Sequence, residues 1–182
     1  MATMPCGPTA TVTLPTSKEI LITREFAAPR HLVYRAWTTP DLVRRWWGGD
    51  RGEVTSVEID LRAGGRWRYV MVAADGSETA FHGEYREIVP GERIVSTEVF
   101  EGRTQARALT TVTFTESGRY TTVAIRVRYS SQQERDAHAI DMRDGLQDAM
   151  DLLEQTAISL LTGAPDRAGD HPARPRQPGA GR

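Results

Sequence analysis

Long apolar runs, a second cysteine and an excess of basic charge are all missing from this 182-residue sequence. No stretch approaches the ~20 apolar residues that a bilayer span requires. The N-terminus has neither the basic n-region nor the apolar h-region of a secretory signal. Cys6 has no partner for an internal disulfide, which points to a reducing cytoplasm. A lone thiol in a Pro/Thr/Ala segment also makes no metal or redox site, because such sites need several convergent ligands. The net charge of −1 and a pI near 6.4 argue against a broad phosphate-binding face. Nucleophile elbow, P-loop, dinucleotide fingerprint and metal motif are absent too. Gly48-Gly49 and Gly64-Gly65 are turn glycines without a phosphate-binding context. These absences leave a soluble, cytoplasmic chain with no cofactor, no metal, no nucleic-acid partner and no membrane partner.

What is present is a patterned centre between two unpatterned ends. Residues 1–17 are small and polar, broken by Pro5, Pro8 and Pro15, and residues 163–182 are rich in proline, glycine and arginine. Neither end can bury enough surface to offset chain entropy, so both are expected to be disordered. The domain is expected over residues 18–162. It opens with a strand, Glu19–Phe26, ended by Ala27-Ala28-Pro29. Pro29 and Pro40 then start two short helices carrying Leu32, Val33, Ala36 and Trp37, then Leu42, Val43, Trp46 and Trp47. Six further strands follow. Val57, Ile59 and Leu61 share one face of the first, and Trp67, Tyr69 and Met71 share a face of the next, opposite Arg66 and Arg68. Asp75-Gly76, Pro90-Gly91 and Ser117-Gly118 mark hairpin turns. Strands in hairpin succession without crossover helices form an antiparallel sheet.

The sheet's apolar face needs a cover, and one segment is long enough to supply it. Ser131 and Glu134 have capping-box spacing. From Met142 through Leu146, Met150, Leu153 and Ala157 to Leu160, apolar residues recur at three- and four-residue steps. Gly163 ends this helix. The fold class is therefore α+β: seven antiparallel strands, two short helices after the first, and a long C-terminal helix.

Three ordered segments resemble one family. Pro29-Arg-His-Leu-Val-Tyr-Arg-Ala-Trp-Thr-Thr-Pro-Asp-Leu-Val-Arg-Arg-Trp-Trp-Gly48 resembles the entry segment of the activator of Hsp90 ATPase homologue family. Asp60-Leu-Arg-Ala-Gly-Gly-Arg-Trp67 resembles its second-to-third strand turn, and Gly83-Glu-Tyr-Arg-Glu-Ile-Val-Pro90 is similar to its segment leading into the fifth strand. The resemblance covers about Ile20 to Leu160. It implies the helix-grip fold of the START/Bet v 1-like superfamily, a curved sheet around the C-terminal helix with a cavity between. It further implies binding of an apolar small molecule, lipid- or polyketide-like. Two alternatives stay open: a polyketide cyclase or aromatase, and a chaperone-related protein-interaction module, with self-association also undecided. One departure stands out, since the family commonly has Gly-Trp in the last helix and this chain has Gly145-Leu146. A smaller residue there implies a larger pocket near the helix middle.

The candidate lining follows. Trp46, Trp47, Trp67, Tyr69, Met71, Phe81, Tyr85, Phe114, Tyr129, Met142, Leu146 and Met150 either wall the cavity or simply fill the core. His82 and Glu98 are the possible polar cavity groups. A buried pair of that kind could perform general acid–base work, whereas the opposite strand parity makes it an outward cross-strand pair. His31 and His138 are isolated, without ligand spacing for a metal.

Overall fold

A computed structural model describes residues 9–102 and 107–163. The Cys6 segment and the tail beyond Gly163 lie outside the described residues. In chain order the elements are β1 (Thr11–Thr13), β2 (Glu19–Phe26), α1 (Arg30–Thr38), α2 (Pro40–Val43), β3 (Glu53–Ile59), β4 (Arg66–Val72), β5 (Glu78–Val89), β6 (Arg93–Phe100), β7 (Arg107–Ser117), β8 (Tyr120–Arg128) and α3 (Gln132–Ser159). All strands join one antiparallel sheet in the order β1-β2-β8-β7-β6-β5-β4-β3. The sheet has eight strands rather than the expected seven. The extra one is β1, which pairs Thr11 with Thr23 and Thr13 with Leu21.

The sheet is curved and α3 closes it, as the helix-grip expectation required. Two register irregularities, between Val54 and Ser56 and between Tyr85 and Glu87, each disturb a ladder. Such bulges bend and twist the strand that carries them. The first also breaks the simple alternation expected for β3. Val54 and Val57 are buried, the strand ends at Ile59, and Leu61 stands exposed in the turn.

Alternation elsewhere sets the core. Val123, Ile125 and Val127 of β8 face inward beside Ile20 and Ile22 of β2, Val112 and Phe114 of β7, and Ile94 of β6. Phe26, Ile20 and Leu153 are fully buried, each contributing about 1.5–3 kcal/mol relative to exposure. The helix α3 starts on Ser131, whose hydroxyl accepts from the Glu134 amide at 3.2 Å. The Glu134 carboxylate reaches back to the amide of Ser130 rather than of Ser131, a capping box displaced by one residue.

A buried charge cluster docks α3 on β2. Arg24 is 2% exposed, and its guanidinium meets Asp151 at 2.6 Å and Glu154 at 2.9 Å. The other Glu154 oxygen accepts from the Ala27 amide at 2.8 Å. Gly145 lies inside α3 with φ of +90°, a left-handed conformation that ordinary helical residues avoid. The methylene and Nε of Arg51 cover it.

Candidate functional site

An internal cavity of about 90 Å³ lies between the helical segment and the inner face of the sheet. Its wall comes from six elements or their ends. Trp37 comes from α1, Trp46 and Trp47 from the turns after α2, Trp67 and Tyr69 from β4, and Tyr85 from β5. Ile94, Ser96 and Glu98 add one face of β6, and Thr110 and Val112 add the matching face of β7. Every tryptophan in the sequence therefore stands at this one cavity.

Local structure explains the gathering. Pro40 starts a helix of four residues, so Trp46 and Trp47 fall in the turns that follow, next to α1. The indole of Trp46 donates to the Ala36 carbonyl at 3.0 Å and stacks 4.9 Å from Trp37. Trp47 meets Tyr69 edge-on at 5.3 Å and Phe81 at 5.6 Å, and Trp67 tilts against Tyr69 at 4.9 Å. Opposite β6, Gly83 has no side chain because none fits. A Cβ there would lie 1.8 Å from the Thr97 carbonyl oxygen and 2.6 Å from the Trp67 indole nitrogen.

The polar groups of the wall are few. Trp67 and Thr110 are 7% and 8% exposed, yet the indole N–H of one and the hydroxyl of the other have no hydrogen-bond partner. Buried polar groups are usually satisfied, so such atoms in a cavity wall call for water or a ligand. Ser96 and Thr110 are cross-strand partners. Tyr69 and Tyr85 hydrogen-bond to each other, and burial raises both phenols, Tyr85 to about 12. Glu98 is half-buried, and desolvation pushes its carboxyl up to about 7. Tyr129, behind the wall, is raised by burial and by the charge of Glu98.

Of the expected lining residues, Trp46, Trp47, Trp67, Tyr69, Tyr85 and Glu98 meet at the cavity. Met71, Phe81, Phe114, Tyr129, Met142, Leu146 and Met150 do not line it; they pack in the core or against it. The α3 positions fail for a reason of placement. This helix docks on α1 and β2, while the cavity opens between the helical segment and β4 to β7. Leu146 therefore does not enlarge it.

His82 is a correction of a different kind. It is the immediate neighbour of Phe81, whose ring meets Trp47 inside, so His82 projects from the other face. There its Nδ1 lies 3.0 Å from Glu101, which also receives both a 2.8 Å Nε and a 2.8 Å NH2 bond from Arg68. Those partners hold the Glu101 carboxyl down at about 2. The His82–Glu98 pair does not form, and Glu98 alone is inside. Trp37, Ile94, Ser96, Thr110 and Val112 are the wall residues that the sequence reading missed. The alternation of β6 and β7 carries the signal for the last four, once Glu98 is known to face in.

A larger groove, about 580 Å³, runs along the surface past Arg30, Glu92, Arg93, Thr115 and Glu116. Its charges are mixed and already engaged: Arg30 lies 3.8 Å from Glu92, and the Arg30 amide donates to Glu116. It is the weaker candidate. Among the described residues no cluster of His, Cys, Asp and Glu is placed to hold a metal. No helix there is long and apolar enough to cross a membrane.

A family model described as Activator of Hsp90 ATPase homolog 1-like protein matches residues 27–157. Among solved structures, a Rhodobacter sphaeroides protein aligns with TM-score 0.78 at 21% identity, covering 84% of this chain and 99% of its own. A Mycobacterium smegmatis protein aligns with TM-score 0.69 at 26% identity, covering 85% and 98%. An AHSA1-like protein from Aeromonas hydrophila aligns with TM-score 0.57 at 21% identity, covering 77% and 93%. No curated protein matches the chain.

Proposed function

The chain belongs to the Activator of Hsp90 ATPase homolog 1-like family, with the START/Bet v 1-like fold, and from that premise we propose that it binds a compact, mainly apolar small molecule in the aromatic-walled cavity. The observation that carries this reading is the pair of unpartnered polar groups, Trp67 N–H and Thr110 hydroxyl, in a wall that is otherwise largely aromatic. A few placed polar atoms on an apolar wall is the usual make-up of a ligand site. The cavity sets the size. Pockets for drug-sized ligands run about 300–1,000 Å³, so the lipid- or polyketide-like ligand gives way to a compact one in a space of about 90 Å³. We place the protein in the cytoplasm on the same reading.

The chaperone-related alternative has less behind it. A contact surface placed at Arg44 to Gly48, beside the cavity, would have Trp46 buried and hydrogen-bonded inward. The enzymatic alternative rests on Glu98, whose value of about 7 suits proton transfer near neutral pH. His82, one expected partner, lies on the other face, and burial raises the Tyr69, Tyr85 and Tyr129 phenols, so Glu98 has no second group poised near neutral pH.

Intrinsic fluorescence tests the binding reading directly, because all four tryptophans line the cavity. Titration with compact probes such as phenol and tert-butanol is expected to shift the emission saturably. Thr110→Val should weaken the probes that carry a hydroxyl. Emission that responds to no compact probe refutes the reading.

A further inference from the structure

The cavity wall has an electrostatic bias that size alone does not express. Six of its residues are aromatic: Trp37, Trp46, Trp47, Trp67, Tyr69 and Tyr85. Glu98 carries the only carboxyl among the lining residues, and no Lys, Arg or His lines the wall. The carboxyl forms no ion pair with any described residue, and burial is the sole cause that raises it. A carboxylate partly withdrawn from water favours a cationic partner, because an unpaired one loses hydration without compensation. Ring faces, for their part, carry negative potential and attract cations, most strongly when the cation is desolvated. Carboxylate and rings thus ask for the same partner, and the chain does not supply it.

Resting on the small-molecule reading above, we propose that the ligand is a small organic cation, an alkylated ammonium with the bulk of tetramethylammonium, held by the aromatic wall and neutralised by Glu98. The volume agrees. A space of about 90 Å³ is well below the ~300–1,000 Å³ of drug-sized sites, which favours a methylated ammonium head over a sterol. Alkylation matters because a bare ammonium would forfeit strong hydration that the rings cannot replace, whereas methyl groups fit an indole-lined wall. A ligand that also bears a hydroxyl would satisfy Thr110 and Trp67, which a tetraalkyl cation leaves to water.

The test compares tetramethylammonium with tert-butanol, a neutral molecule of similar shape, by fluorescence and calorimetric titration of the full chain. The cation is expected to bind at least about tenfold more tightly at pH 8, the order of a desolvated cation–aromatic contact. Its affinity should strengthen from pH 6 to pH 8 as Glu98 ionises, while that of tert-butanol stays flat. Glu98→Gln should shrink the cation's advantage to what the aromatic wall alone supplies and remove its pH dependence. The wild-type pH profile is an independent measurement that does not depend on the variant. Equal binding of both probes with no pH dependence overturns the cation assignment and leaves the small-molecule reading standing. Failure of both probes overturns the two together.

Discussion

Replacing Glu98 with glutamine should stabilise the protein at alkaline pH and much less in acid. The carboxyl stands at about 7 in the fold against an ordinary 4.5, raised by desolvation. A raised acid binds its proton more tightly when folded, so the folded state holds more protons than the unfolded one between these values. Stability is therefore lost as pH climbs from about 4.5 to about 7 and levels off above that. At ~1.4 kcal/mol for each tenfold change in proton affinity, the full penalty is about 3 kcal/mol. By pH 5 the unfolded carboxyl is already largely ionised, so about 0.8 kcal/mol of that penalty is present, and by pH 8 nearly all of it. Urea denaturation of wild type and Glu98→Gln at pH 5, 6, 7 and 8 should show a gap that widens by roughly 2–3 kcal/mol in favour of the variant. Every other titrating group is common to both proteins and cancels. A gap that stays constant with pH refutes the desolvated carboxylate. Saturating tetramethylammonium should shrink the gap at pH 8, because it stabilises the wild type more than the variant.

Three further substitutions test the frame around the site. Arg24→Met removes the buried guanidinium between Asp151 and Glu154 and should cost about 3 kcal/mol in urea unfolding; a loss below about 1 kcal/mol would show that α3 does not depend on this cluster. Gly83→Ala forces a Cβ to within 1.8 Å of the Thr97 carbonyl oxygen and close to the Trp67 indole. It should cost about 3 kcal/mol and alter tryptophan emission, and a silent variant would mean that β5 and β6 stand further apart. Gly145→Ala would stabilise an ordinary helix by about 1 kcal/mol. At φ of +90°, with Arg51 packed over the position, it should instead lower stability by about 1–2 kcal/mol, measured by thermal melting.

Legibility in the sequence followed burial. The strands β2, β4, β7 and β8 and the helix α3 each place an apolar set on one face, so period locates them, while the turns at Asp75-Gly76 and Pro90-Gly91 bound β5 and start β6, and Ser131 marks the helix start. The strand β1 could not be found that way. Thr11, Val12 and Thr13 are all exposed, and their pairing with β2 uses backbone groups that side-chain pattern does not report. The bulge between Val54 and Ser56 defeats period-two reading at β3, because one inserted residue reverses every face beyond it. The same parity governs His82 and Glu98. They lie on adjacent paired strands, His82 opposite Val99, so Glu98 sits one residue from the partner of His82 and necessarily faces the other way. That offset needs the register, which no single strand encodes. Ser96 and Thr110 were passed over because hydroxyl residues in strands carry no inward signal of their own; only their pairing reveals them.

The smallness of the cavity follows from the positions of the large side chains rather than from the fold. A curved sheet closed by helices leaves space wherever inward residues are small, and here the inward residues of β4 and of the segment after α2 are indoles and phenols. These rings are fixed. Trp46 is pinned to Ala36 and stacked on Trp37, Trp67 leans on Tyr69, and Trp47 bridges Tyr69 and Phe81. Aromatic pairs contribute about 0.5–1.5 kcal/mol each beyond the area they bury, so breaking these four to open the wall for a larger ligand forfeits about 2–6 kcal/mol. Trp46 and Trp67 are buried, whereas Trp37 and Trp47 are half-buried. The compactness of the proposed ligand is thus set by one residue type: four tryptophans, two buried in the wall and two at its half-exposed side.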